Sequence, residues 1–180
     1  GYRTGFVGKW HLDGGPRLPG FIPPGPRRHG FEFWAANQCS HAHFKNTYFR
    51  DTPEPHPVRG FEPEGWTDLA LEFLEGSKRD ARPFFLTVQM GPPHDPYGAP
   101  DEYMKRFEPA RLTLPPNHPG ESPGLPGRKE LAAYYAATMA IDDQVGRMVK
   151  ALDDAGMGDD TLILFSSDHG DILGSHGYRL

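Results

Sequence analysis

The chain has 180 residues, enough for one domain with a core of its own. Hydrophobic residues make up only 37%, and 22 Gly with 20 Pro stop just short of the share that marks low complexity. The net charge of −5 comes from 19 basic and 24 acidic residues mixed throughout. That mixing excludes a basic footprint for nucleic acid, and no apolar run reaches the length of a membrane span.

The elements follow in chain order. Thr4–Val7 predicts a short strand ending at Gly8, so the chain opens inside an element. Leu12–Gly30 is too rich in Pro and Gly to be regular. "GFEFWAAN" (Gly30–Asn37) and "NTYFRD" (Asn46–Asp51) are short extended pieces. Thr67 is the expected N-cap of a helix to about Lys78, with Leu69, Ala70, Phe73 and Leu74 on one face. "PFFLTVQ" (Pro83–Gln89) suits a strand covered on both faces. Pro100–Phe107 holds a short helix. The longest helix runs from about Arg128 to Asp154, with an apolar stripe that includes Leu131, Tyr134, Tyr135, Thr138, Ile141, Val145 and Leu152, and Gly156 as its stop. "TLILFSS" (Thr161–Ser167) reads as a second buried strand. This alternation is the rhythm of an α/β layered fold with a largely parallel sheet. The prolines crowd into the loops between these elements, and such stiff loops carry sites more often than cores.

One cysteine, Cys39 in "NQCSHAH", excludes an internal disulfide framework. Its plain reading is a small half-buried residue; a zinc site with His41 and His43 would need better-spaced partners.

Three polar clusters directly follow predicted strands: Lys9 and His11, His94 and Asp95, Asp168 and His169. In parallel α/β sheets the carboxyl ends of strands share one edge, where ligands bind. These distant segments are therefore expected to converge on one crevice. "SSDHGD" sets a carboxylate beside an imidazole at a turn, where both can reach one divalent ion. The alternative is a capping Asp168 and a hydrogen-bonded His169, with Asp171 solvated or structural. "GPPHDPY" holds His94 between prolines as a preorganised proton donor or anion partner, or as a packing residue. "GKWH" makes Lys9 and His11 a small cationic shelf for an oxyanion, with Trp10 turned the other way as an anchor; a surface Lys beside a core His is the alternative.

"GYRTGFVGKWHL", "PFFLTVQMGPPHDPY" and "TLILFSSDHGDILGSHG" resemble the successive signatures of the sulfatases, of the alkaline-phosphatase-like superfamily, in the expected order. "YYAATMAIDDQVGRMVKALDDAGMGDDTLILFSSDHG" is similar to that family's long helix and metal strand. The resemblance implies a three-layer α/β/α sandwich with a largely parallel central sheet, of which residues 1–180 are part of the catalytic domain. It implies that Lys9 holds sulfate oxygens and the nucleophile, that His11 helps break down the sulfated intermediate, and that His94 serves the leaving alcohol oxygen. Asp168 and His169 correspond to two ligands of a divalent ion, usually calcium; many members have Asn at the second position. The substrate is then a sulfated sugar or an aryl or alkyl sulfate, and the location periplasmic, extracellular or lysosomal.

The family's nucleophile is a cysteine oxidised to formylglycine in C-x-[PA]-x-R, lying before the GKWH segment. Cys39 lies after it in "CSHAH", without the Pro/Ala or the Arg, and so is not that nucleophile. The early Asp pair of the metal site and the lysine after "GSHG" are also absent. The expectation is an internal fragment of a longer enzyme, inactive alone. Phosphonate monoester or phosphodiester hydrolysis on the same site plan is the alternative activity, and a non-catalytic relative that binds sulfated glycans is the alternative class.

Overall fold

A computed structural model describes residues 1–179. Two compact units emerge from it, one of Gly1–Gly91 with Asp143–Thr161, the other of Pro92–Asp142 with the stretch from Leu162 onward.

The first unit is built on a three-stranded sheet. β1 (Arg3–Lys9) lies between β2 (Phe33–Asn37) and β5 (Phe84–Gln89), and both pairings are parallel. A small antiparallel ladder, β3 (Thr47–Tyr48) with β4 (His56–Pro57), joins it through a bridge between Ala36 and Phe49. Period-two alternation divides β1 between two cores. Phe6 packs with Trp10, Ile22, Trp34 and Ala36, and Phe31 closes over them. Val7 packs with Ala35, Val58, Trp66 and Leu69. The parallel step from β1 to β2 carries no α-helix, although such steps usually need one. The proline-rich loop supplies Ile22 and Phe31 to the first core instead. Arg28 clamps that loop: its guanidinium donates to the Ile22 and Arg50 carbonyls and lies 4.8 Å from the Trp34 ring.

α1 (Glu62–Ser77) covers the second core, and Phe73 and Leu74 meet Leu152 of α3 (Arg128–Asp154). α1 begins five residues before the expected Thr67 cap, and Thr67 is buried mid-helix. Pro63 and Gly65 are both accommodated in the first turn. A proline in the first turn gives up an N–H that the helix does not use. Gly65 leaves the space that Val58 and Arg59 occupy. The Glu64 carboxylate accepts the Phe61 N–H at 3.3 Å, completing the start.

α3 has the expected bounds, and Gly156 stops it at φ +66°. Its buried side is rich in alanine (Ala132, Ala133, Ala136, Ala137 and Ala140), whereas Tyr135 and Thr138 of the expected stripe are exposed. Alanine contributes little apolar surface, so this face stands out less in the sequence than the larger side chains do. β5 is an edge strand among the described residues, and Phe85 is 54% exposed, so cover on both faces is not met.

The second unit holds α2 (Asp101–Met104), within the expected Pro100–Phe107 stretch, and a docked turn at Ser175–Gly177. The His176 N–H donates to the Asn117 carbonyl at 2.8 Å. The expected strand at Thr161–Ser167 is not one here. Its residues join no ladder among those described, and Leu162, Leu164 and Phe165 are 93%, 87% and 74% exposed. An apolar β-branched run makes a strand only where a neighbouring strand completes its hydrogen bonds. No helix among the described residues is long and apolar enough to cross a membrane.

Gly8 is where the sheet depends on one residue. Its φ is +116°, and a Cβ there would overlap the Gln89 carbonyl oxygen of β5. Gly8→Ala should therefore lower the stability of the full-length protein by about 2–4 kcal/mol. Urea denaturation checks this; a midpoint equal to wild type would show that β1 and β5 do not approach so closely.

Candidate active site

Parallel pairing sets Lys9 opposite Asn37 and Gly8 opposite Gln89, so three strands end at one edge of the sheet. β1 stops at Lys9, while its backbone bonding runs on: the Trp10 and His11 N–H groups donate to the Asn37 and Gln38 carbonyls at 2.8 and 2.7 Å. Trp10 is 3% exposed, with its ring edge-on to Phe6 at 4.8 Å, the anchor the sequence suggested. His11 is not on the strand. It takes a left-handed backbone, φ 53°, and is exposed. Burial, then the charges of Lys9 and Arg17, push its imidazole below the usual 6.5, towards the neutral form at pH 7.

The Lys9 ammonium meets a residue that no motif had singled out as functional. Its Nζ lies 3.4 Å from His41 Nε2. Two residues on, His43 is buried against Glu62, which is also fully buried. One Glu62 oxygen accepts His43 Nδ1 at 2.8 Å; the other accepts Trp66 Nε1 at 2.7 Å and the Gly91 N–H at 3.1 Å. The Glu62 N–H donates back to the His43 carbonyl at 2.7 Å. A single carboxylate therefore fixes the Cys39–Asn46 loop, the start of α1 and the exit of β5. The alternating histidines of "HAH", and a glutamate directly before Pro63, were the signals available in sequence. Cys39 is wholly buried and free.

In the second unit the structure brings His94 and His169 together, ring centroids 5.9 Å apart. His94 Nδ1 faces Asp95, 2.8 Å from its carbonyl and 3.0 Å from its carboxylate. Nδ1 is thus engaged by Asp95. Asp168 and His169 have side chains 89% and 62% exposed. Asp168 Oδ2 lies 3.8 Å from His169 Nε2, a separation two ligands of one calcium ion, each at about 2.4 Å, can have. They fit as part of a donor set. Calcium takes about six to eight donors, and no group of three or more His, Cys, Asp or Glu side chains assembles among the described residues. Asp171 is engaged by the Tyr97 hydroxyl, which donates to both its oxygens at 3.0 and 2.9 Å. Burial and that carboxylate push the Tyr97 hydroxyl well above its usual range.

A family model described as Sulfatase matches residues 1–180. An ulvan-active sulfatase of Formosa agariphila is 38% identical over 99% of this chain and 35% of its own length. Human iduronate 2-sulfatase is 34% identical over 62% of this chain and 26% of its own length. The chain thus spans about a quarter to a third of the length of these curated relatives. Among solved structures, a Bacteroides fragilis protein put forward as a sulfatase, yidJ, matches with a TM-score of 0.88 and 31% identity over 98% of this chain and 43% of its own. A phosphonate monoester hydrolase of Silicibacter pomeroyi, 20% identical, shares the fold with a TM-score of 0.66 over 98% of this chain and 46% of its own.

Two outcomes follow from the geometry. Glu62→Ala leaves the His43, Trp66 and Gly91 donors without their buried acceptor, and should cost the full-length protein about 3 kcal/mol or more in urea denaturation. An unchanged midpoint would remove Glu62 from its place as the tie. Lys9→Met should raise the His11 midpoint part of the way back to 6.5 in an NMR titration, since burial, the larger cause, remains. A midpoint that stays put would show that the two side chains do not sense each other.

Proposed function

The chain belongs to the sulfatase family, and on that premise we propose that the protein hydrolyses sulfate monoesters, with Lys9, His11 and His94 acting on the ester and Asp168 and His169 holding part of a divalent metal site. The observation that carries this is the Lys9 ammonium at the carboxyl edge of the sheet. Lys9 ends a central parallel strand, His11 follows two residues on, and among the described residues no carboxylate lies within ion-pair distance of either. A sulfate monoester presents oxygens that an ammonium donor can hold by charge-assisted hydrogen bonds. Neutral at pH 7, His11 can take a proton beside Lys9. His94, with Nδ1 turned to Asp95, presents Nε2 to the leaving alcohol oxygen as charge builds on it.

The family generally uses a divalent metal; when bound, it would act as a Lewis acid on the sulfate oxygens. Calcium is our choice, because the Asp168 carboxylate is a hard oxygen ligand. A formylglycine nucleophile does not fit any residue of this chain, since Cys39 is fully buried and lacks the C-x-[PA]-x-R setting. The names of the relatives, ulvan-active and iduronate 2-sulfatase, support a sulfated glycan as substrate. Phosphonate monoester hydrolysis is the second reading, favoured only by the fold shared with the Silicibacter pomeroyi enzyme.

The full-length protein should cleave para-nitrophenyl sulfate in preference to the phosphate and phosphonate analogues. The reverse preference would hand the assignment to the second reading. Asp168→Ala should lower both the metal content, by elemental analysis, and turnover; unchanged metal stoichiometry would exclude Asp168 as a ligand.

A further inference from the structure

We propose that His41 is a positioning residue for the Lys9 ammonium: its Nε2 accepts one N–H of Lys9 and thereby aims the other two at the anion the site binds. The inference rests on the sulfatase reading of Lys9 and extends it to a loop that no family motif marks.

The chemistry of the pair fixes the direction of the bond. A lysine ammonium has three donors and no acceptor. At 3.4 Å from Nζ, His41 Nε2 must therefore be the acceptor, with the ring neutral and its proton on Nδ1. The distance is at the long end for a hydrogen bond, so the contact orients more than it binds. Orientation matters for this side chain. Lysine carries four rotatable carbons and about 2 kcal/mol of rotamer entropy, lost when the head group is held in one place. A residue that restrains Nζ before the ligand arrives removes part of that cost from binding.

His41 can do this because its own place is set. The loop leaves β2 at Asn37, whose side chain amide donates to Asn46 Oδ1 at 3.0 Å across the loop's base. Ser40 Oγ accepts the Ala42 N–H at 3.2 Å, and the Lys45 N–H donates to the Ala42 carbonyl at 3.2 Å, which folds the loop tip. His43 is tied to Glu62 twice, through its ring and through its carbonyl. His41 thus stands two residues from a buried hydrogen-bonded anchor, itself only partly buried, with its ring turned to the end of β1. The cost of burying the Glu62 carboxylate is offset by three donors to it.

The test compares His41→Ala, His41→Gln and Lys9→Ala in the full-length protein. Turnover of para-nitrophenyl sulfate, affinity for inorganic sulfate by calorimetry, and the thermal midpoint are measured for each. His41→Ala should lower kcat/KM about tenfold and weaken sulfate binding, with an unchanged thermal midpoint. Gln, whose amide oxygen accepts the same N–H, should restore most of both. Wild-type kinetics and sulfate affinity in His41→Ala, beside a crippled Lys9→Ala, would overturn the positioning role and leave the sulfatase reading standing. A Gln variant as impaired as Ala, with both melting earlier, would reduce His41 to a packing residue. A Lys9→Ala variant that keeps both turnover and sulfate affinity would overturn both readings.

Discussion

The double pairing of β1 is the constraint on which the first unit depends. A strand paired on one side only can slip by a residue and exchange its faces. Here β2 and β5 fix the register from both sides, and Gly8 lets the β5 backbone come close enough to do it. With that register set, Phe6 and Val7 must enter different cores. Lys9 must then arrive at the carboxyl edge opposite Asn37, whose side chain ties the base of the next loop. The position of the one lysine that meets a sulfate oxygen in the proposed reaction is thus a consequence of sheet pairing, not of a local loop conformation.

Glu62 extends that order from the sheet to the loops. A carboxylate with no exposure is costly unless its oxygens are filled, and three N–H donors fill them here. Each donor comes from a different place: a loop histidine, a helix tryptophan four residues on, and the backbone just past β5. Loss of any one would weaken the hold on the other two, because the remaining charge would be less well solvated by protein dipoles. Catalytic loops on α/β sheets need such ties, since their own packing is thin. The Pro-rich run that carries His94 leaves this anchored point at Gly91.

Much of this was legible in the sequence where a single period or a single breaker decides the outcome. α3 was readable to the residue because a long 3.6-residue period ends at a glycine. β1, β2 and β5 were readable from short apolar runs bounded by glycine and proline. The start of α1 was not, because Pro63 and Gly65 suit a loop equally well until Val58 and Arg59 are seen to need the space. Thr161–Ser167 has the composition of a strand, but composition cannot supply the partner strand on which its hydrogen bonds depend. The sequence named Lys9, His11, His94, Asp168 and His169 because they follow strands. It passed over His41 and Glu62 as functional residues because their roles exist only through contacts made across 32 and 19 residues of chain.

The proposed division of labour follows from where charge changes during ester cleavage. The outer sulfate oxygens are anionic in the substrate and remain so in the transition state. A group that holds them, as Lys9 steadied by His41 would, stabilises both states to a similar degree and acts mainly on affinity. The leaving alcohol oxygen is different, for it carries little charge in the substrate and much in the transition state. A donor aimed at it is worth more as the bond breaks, and so acts on kcat. His94 is suited to that task by the way it is held. Asp95 offers both its carbonyl and its carboxylate to Nδ1, which fixes the orientation of the ring. The proposed roles of the two histidines make opposite demands on the ring. His41 must stay neutral to accept from an ammonium, whereas His94 must carry a proton to give one away.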